Sequence, residues 1–383
     1  MLNTEQYLEE ESLKTHRQSP YNINNYNRFL KTIETKNKRS VDIPTILHIN
    51  IDVEINNIDD LLNLISKYKI DDHVKYNINM KSLHDIKDPL IELNNMIGMK
   101  KLKKNIVDQI IYFIQGLNKA TTKITDFIET EWIVGDYMHT VIYGPPGTGK
   151  TEIAKILGKI FSKLGILKNG TFKKVTRSDL IAGYVGQTSL KTRTVINENL
   201  DGVLFIDEAY ALGNNEKKDS FSKECIDTIC EALSDHKDKL MVIIAGYEHE
   251  LKECFFNYNQ GLESRFTWRF ETDAYTGEDL YNIFVKKVRE IGWLIHENSG
   301  FDASWFVKNA ELFKNYGRDI ETFLAKTKIA HSRRVFCKDD SEKRKLVLLD
   351  LENGLESYLL NSDIQNKKEK DFFEKELQYS IYC

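Results

Sequence analysis

The chain has 383 residues, 41% of them hydrophobic and 29% charged, a balance expected of a soluble globular protein with room for two or three domains. A net charge of −4 gives no global pull toward nucleic acid or an anionic membrane, and no apolar run approaches the roughly 20 residues of a spanning helix. The start is acidic and has no apolar h-region, so no secretory signal is expected. Five scattered cysteines (Cys225, Cys230, Cys254, Cys337 and Cys383) form no C-x-x-C pair, which argues for reduced thiols in a cytosol-like compartment and against a disulfide framework or a zinc site.

Residues 1–88 read as an N-terminal extension, with a short helix at 2–13, a polar Asn-rich stretch at 19–40 and an alternating strand-like segment at 43–55. An amphipathic helix follows at 58–68 behind an Asn57 cap. Two readings stand side by side: a small α+β module that binds a partner, and an extension that only packs on the body of the protein. From Pro89 the apolar residues fall at helical spacing, with a break at Ile97-Gly98-Met99 that can set backbone against an adenine ring. Lys100, Lys101, Lys103 and Lys104 on the next helix could touch nucleic acid, although such a run is more often a solvated face.

The most informative stretch is 141–161: an apolar strand, a glycine-rich turn and an amphipathic helix, in that order. The turn, Gly144-Pro145-Pro146-Gly147-Thr148-Gly149-Lys150-Thr151, fits G-x-x-x-x-G-K-[ST]. Its glycines let backbone N–H groups converge on phosphate, and the positive end of the helix dipole points at the same spot. Lys150 would neutralise the β- and γ-phosphates, and the Thr151 hydroxyl would ligate Mg²⁺.

Further strands are expected at 171–175, 203–206, 241–245 and 266–271, alternating with helices. That alternation predicts an α/β fold with a parallel, doubly wound sheet whose ligands sit at the carboxyl ends of the strands. Helices at 278–291, 303–313, 319–336 and 350–360 predict an all-α C-terminal region, ending in a charged segment at 366–376.

Gly202 to Leu212 supplies a second signature. An apolar strand delivers Asp207 to its carboxyl end, where it would hold the Mg²⁺ shell with Thr151, and the neighbouring Glu208 would polarise water for attack on the γ-phosphate. Arg265, at a subunit edge, would reach a neighbour's γ-phosphate; the plainer reading is a surface ion pair with Glu263 or Glu271, and Arg269 is the reserve candidate. Arg318 opens a helix from which it would contact the γ-phosphate across a domain cleft, or else pair with Asp319 or Glu321. Glycines flank Tyr184-Val185, which in a ring would present an aromatic paddle to a central channel.

Taken together, GPPGTGKT, AGYVGQT, GVLFIDEAYAL, MVIIAGYEHEL, NQGLESRF and GRDIETF resemble the CbxX/CfqX family of AAA+ ATPases, which includes the red-type Rubisco activases. The likeness covers residues 89–360. It implies a hexameric ring of P-loop ATPase subunits: an α/β large domain at 89–273 and a helical lid with a charged tail at 274–383. It also implies that Gly144 to Thr151 are Walker A, Asp207 and Glu208 Walker B, Tyr184 the pore-loop aromatic, Arg265 the arginine finger and Arg318 sensor 2. One departure is that Gly246 and Tyr247 stand where many AAA+ chains carry the polar sensor 1.

The expectation is an ATP- and Mg²⁺-dependent motor that remodels a protein client, client unnamed, in the cytoplasm. The rival is a nucleic-acid-dependent ATPase, disfavoured because no basic stripe is interleaved with aromatics; a third reading is a non-catalytic scaffold. The Asn-, Ile-, Lys- and Tyr-rich composition suits an A+T-rich genome such as that of a large DNA virus, in which case the compartment would be the host cytoplasm or the virion.

Overall fold

The computed structural model describes residues 46–118, 122–125, 128–130, 135–184, 186–213, 219–296 and 300–360. The expected features at 2–13, 19–40 and 366–376, together with Val185 and Cys383, lie outside the described residues. The chain falls into two units, Met1–Ile49 with Asp71–Lys75, and Asn50–Ile70 with Tyr76–Cys383.

In the first unit, β1 (Leu47–Ile49) is three residues long, shorter than the alternation at 43–55 suggests. The reason lies just beyond it. The Asn77 side chain takes both backbone groups of Ile51, accepting from its N–H at 2.9 Å and donating to its carbonyl at 3.0 Å, so the ladder cannot continue. The strand β2 (Val74–Tyr76) pairs with β1.

The second unit opens with α1 (Ile58–Lys67). The Asn57 side chain accepts from the Asp60 N–H at 3.0 Å and the Asp60 carboxylate accepts from the Asn57 N–H at 3.1 Å, the reciprocal cap expected of Asn57. Helices α2 (Met80–Asp85), α3 (Lys87–Asn94) and α4 (Lys100–Ile114) follow. Ile58, Leu61, Leu64 and Ile65 are buried, and α1 packs on α3 and α4. A short antiparallel pair, β3 (Thr122–Thr125) with β4 (Ile128–Thr130), was not legible in so polar a stretch.

The remaining strands are β5 (Thr140–Tyr143), β6 (Phe172–Val175), β7 (Gly202–Ile206), β8 (Leu240–Gly246) and β9 (Trp268–Glu271). They form one sheet in the order β6-β7-β8-β5-β9, every pair parallel. The crossovers are α5 (Lys150–Lys163), then α6 (Arg177–Leu180) and α7 (Thr188–Asn197), then α8 (Ser220–Asp235), then α9 (Glu248–Cys254) and α10 (Gly261–Arg265). All residues of β7 and β8 are buried, which is why they read as unbroken apolar runs. Leu204, Ile206, Val242 and Ile244 pack with Ile226, Ile229 and Leu233 of α8 on one face. On the other, Gly158 of α5 lies against Val203, and Phe161 meets Phe113 of α4 edge-on at 5.1 Å. Each such fully buried side chain contributes about 1.5–3 kcal/mol by leaving water.

The C-terminal part comprises α11 (Gly277–Glu290), β10 (Leu294–Ile295), α12 (Ala303–Asn309), α13 (Gly317–Val335), β11 (Lys345–Leu346) and α14 (Leu348–Leu359). It is not purely α-helical as expected: β10 and β11 form a parallel two-residue pair, because the Leu294 N–H donates to Arg344 O at 2.8 Å and the His296 N–H to Leu346 O at 2.9 Å. The helix expected at 303–313 ends at Asn309 and tightens into a 3₁₀ turn, Ala310–Leu312. Its core is aromatic: Phe284, Phe306, Phe313, Phe323 and Tyr358 are buried together. A buried polar knot joins α13 to the start of α14, where Asp350 accepts from Arg334 Nε at 2.7 Å and meets His331 Nδ1 at 3.0 Å. Among the described residues, Cys225, Cys230, Cys254 and Cys337 form no disulfide.

Candidate active site

The glycine-rich turn joins β5 to α5 at the carboxyl end of the sheet. Its Gly147 adopts φ +77°, and a Cβ there would lie 2.0 Å from the Asn315 carbonyl oxygen and 2.8 Å from the Arg318 nitrogen. Only glycine permits both that backbone hand and that approach. The approach seats the start of α13 on the turn, with the Gly317 N–H donating to Gly147 O at 3.1 Å. Tyr316, just before α13, adopts φ +47°, a strained conformation at the same junction.

A cavity of about 680 Å³ opens here. Its wall includes Gly144, Pro146, Gly147, Thr148, Gly149, Lys150 and Thr151 from the turn, Asp207 and Glu208 from the end of β7, and Arg318 from α13. Of the two turn residues expected to touch adenine, Ile97 lines it and Gly98 does not; Gly98 backs onto the Tyr275 ring, 2.9 Å from where a Cβ would sit. Pro145 is also absent from the wall, its carbonyl being turned to the Lys150 ammonium at 2.7 Å. Lys150 donates as well to Gly144 O at 2.8 Å. Burial pulls its pKa below the ordinary lysine value, and Asp207 and Glu208 pull it back up.

Asp207 and Glu208 leave the sheet in succession. Glu208 is exposed and adopts φ +51°, a left-handed conformation that aims its side chain differently from a continuing strand. Asp207 accepts a hydrogen bond from Lys174 Nζ of β6 at 2.6 Å. The sequence reading missed Lys174; its only signal was a polar pair inside an otherwise apolar strand pattern. Thr151 and Asp207 offer one hydroxyl and one carboxylate, both hard oxygen donors. No group of three or more His, Cys, Asp or Glu able to hold a metal occurs among the described residues. Such a sparse donor set suits a Mg²⁺ ion that keeps waters and arrives with phosphate oxygens.

Other wall residues also went unread: Met96, Tyr210 and Tyr275, and from α11 Ile283, Lys286, Lys287 and Glu290. Tyr210 and Tyr247 lie 6.2 Å apart, centroid to centroid, and desolvation raises the pKa of each. Gly246 and Tyr247, in the sensor 1 position, both line the cavity. Tyr275 donates weakly to Thr148 O at 3.4 Å and packs edge-on against Tyr316 at 5.4 Å.

Arg318 is exposed at the cavity, and the carboxylates suggested as its partners are engaged elsewhere. Asp319 accepts from Asn315, and Glu321 pairs with Lys287 at 2.5 Å. Arg265 is not part of this wall. Its Nε donates to Ser234 Oγ at 2.6 Å and its NH1 to Gly261 O at 2.7 Å, so neither Glu263 nor Glu271 supplies the suggested ion pair. Arg269 donates to Phe266 O and Glu263 O, with its guanidinium 5.3 Å from the Phe256 ring centre. Tyr184 is 74% exposed. Of the four lysines on α4, Lys101 pairs with Glu271 at 3.5 Å and Lys103 donates to backbone carbonyls.

Residues 140–272 match the family described as ATPase family associated with various cellular activities (AAA). The chain is 37% identical to a cfxQ-like protein of Acanthamoeba polyphaga mimivirus, over 87% of this chain and 84% of that one. It is 30% identical to stage V sporulation protein K of Bacillus subtilis, over 67% of this chain and 79% of that one. Among solved structures it is similar to the FIGL-1 AAA domain in complex with ADP, at 18% identity and a TM-score of 0.49, covering 72% of this chain and 88% of that one.

Proposed function

The chain belongs to the AAA ATPases, alongside cfxQ-like proteins, and from that premise we propose a ring-forming motor that spends ATP to remodel a protein client. It is an ATPase, and AAA ATPases bind ATP, typically with Mg²⁺, and generally assemble as oligomeric rings. The division we propose is an extension at 1–88, the ATPase large domain at 89–273 and the lid with its tail at 274–383.

In this reading the backbone N–H groups of Gly147 to Thr151 and the Lys150 ammonium hold the β- and γ-phosphates. Thr151 and Asp207 would hold Mg²⁺, which when bound neutralises charge on the phosphate oxygens. Glu208 accepts a proton from the attacking water. The water oxygen forms the new bond to the γ-phosphorus, the bond to the bridging oxygen breaks, and ADP and phosphate result. Arg318 contacts the γ-phosphate from the lid, and Arg265 of a neighbouring copy stabilises the charge that spreads in the transition state. Movement of the lid on the large domain carries the loop of Tyr184 and Val185 along the client. Six copies, a cytoplasmic setting (or the virion) and a protein client complete the proposal. Among the described residues no helix is long and apolar enough to cross a membrane.

One observation carries the reading: a phosphate-binding turn, two strand-end carboxylates and a lid arginine meet in one cavity. The deciding experiment is Glu208→Gln. The variant should bind ATP like the parent yet turn over at least about 100-fold more slowly, since a general base is worth about 10²–10⁴ in rate. Turnover at the parental rate would remove Glu208 from its role. The same variant, loaded with ATP, should retain whatever client it grips through a pull-down.

A further inference from the structure

We infer that Lys103 is a positioning residue that rigidifies the base-recognising turn of the nucleotide cavity and ties that turn to helix α1. The inference rests on the ATPase reading above and deepens it, by naming what makes the site selective for adenine nucleotides.

The turn between α3 and α4 contributes Met96 and Ile97 to the cavity wall. Its last two residues, Gly98 and Met99, are both left-handed, with φ +67° and +57°. Met99 itself supplies no side-chain cap; the entrance of α4 is held from outside by Asp273, whose Oδ2 accepts from the Lys101 N–H at 2.9 Å. That bond fixes the helix end and leaves the carbonyls of the turn to Lys103, one turn into α4. Its ammonium donates to Asn94 O at 3.0 Å and to Met96 O at 2.5 Å, one carbonyl at the end of α3 and one inside the turn. A charged donor bonds these carbonyls more strongly than a neutral one would. None of these bonds engages the N–H or C=O of Ile97, the peptide groups through which a turn can pair with the amine and ring nitrogen of adenine. A turn held in one conformation separates a 6-amino from a 6-oxo purine; a loose one can adjust to either.

Charges around Lys103 come from two elements. Burial lowers its pKa, Asp59 of α1 and Asp279 of α11 raise it, and Lys286 of α11 opposes them. Asp279 also belongs to the capping box that starts α11, and its carboxyl carbon lies 3.5 Å from where a Cβ on Gly98 would sit. On the other side, Asn94 donates through Nδ2 to Asp59 Oδ1 at 2.8 Å. The turn is therefore braced at once by α1 and by the first turn of the lid, and a shift of α1 would be felt at the base.

The test is Lys103→Met, which keeps the methylene stem and removes the ammonium. ATP and GTP hydrolysis are measured with the affinity of a fluorescent ADP, and thermal unfolding checks the fold. KM for ATP should rise about tenfold with kcat within about twofold, while KM for GTP moves less, so the ATP:GTP ratio of kcat/KM falls by at least about threefold. A folded variant with the parental ratio overturns the inference, and so does an equal loss for both nucleotides, which a merely structural role would produce. Asp59→Asn is read alongside, and independently if Lys103→Met does not fold: it should raise KM for ATP about two- to threefold in the same selective manner, and no change would sever the tie to α1. Lys150→Ala separates the two levels. If it leaves nucleotide binding intact, the cavity reading itself fails; if it abolishes binding while Lys103→Met changes nothing, only the present inference falls.

Discussion

Lys174 shows how a neighbouring strand can bring a charge to a carboxylate of the candidate site. The register of β6 on β7 opposes Lys174 to Phe205, two residues before Asp207, and brings its ammonium to 2.6 Å from Asp207 Oδ2 and 5.9 Å from the Phe205 ring centre. The pair is partly solvated, so its worth to stability is small. Its worth to metal binding is different, because an ammonium beside the carboxylate competes with any second cation there. Lys174→Met should therefore lower the Mg²⁺ concentration that half-saturates fluorescent-nucleotide binding, by about fivefold for an interaction near 1 kcal/mol. A Mg²⁺ titration against an EDTA baseline measures it; an unchanged or higher requirement would mean that Lys174 supports the metal site and does not compete with it. Asp207 and Glu208 were legible because they follow their strand directly. Lys174 was not, since the sheet register that pairs it with Asp207 is a property of two distant segments.

Among the elements, β5, α8 and β8 are pinned together by a single imidazole. His139, immediately before β5, is fully buried, faces Leu233 O of α8 at 3.0 Å through Nε2, and accepts the Val242 N–H of β8 at 3.1 Å on Nδ1. With Nδ1 accepting, the ring is the neutral Nε2–H tautomer. Burial lowers its pKa from the ordinary 6.5 to about 4. Between those values the unfolded chain binds a proton that the folded chain refuses, so stability rises with pH across that window. The contribution is fully present above 6.5 and is lost as pH falls through about 4; the whole span is on the order of 3 kcal/mol. Urea midpoints at pH 7 and pH 4.5 should differ less in His139→Gln than in the parent. An identical pH slope in the two would remove His139 as the cause. The parallel strands themselves were readable as apolar runs, because a sheet covered on both faces leaves no polar alternation. The pair β10–β11 was not, since two residues carry no period and the pairing is set by backbone bonds between segments about 50 residues apart.

At the scale of the whole molecule, the proposal requires copies to complete one another. Arg265 stands off its own chain's cavity wall, held by Ser234 and Gly261, and would act on a neighbour. Arg265→Ala and Lys150→Ala should each be inactive alone, the first for want of a finger and the second for want of phosphate binding. Mixed, they should regain activity, because a Lys150→Ala copy still offers Arg265 to an intact nucleotide site next to it. A finger is worth about 10³–10⁵ in rate, so even partial mixing would be visible. No recovery at any ratio, with both variants folded, would place Arg265 outside the reaction.

What the sequence alone determined is whatever chemistry is written in contiguous residues: the turn Gly144 to Thr151, the Asp207-Glu208 pair, the Asn57 cap, and the alternation that implies a parallel sheet. These are local because a phosphate cradle, a strand end and a helix cap are each built within a few residues of backbone. Tertiary structure alone decided which side chains share the cavity with them. Met96, Tyr247, Tyr275 and Lys286 come to one wall, Lys103 reaches back to Met96, and Lys174 meets Asp207. Sheet order, strand register and the seating of α13 on Gly147 fix those meetings, and each depends on packing between segments that are far apart along the chain.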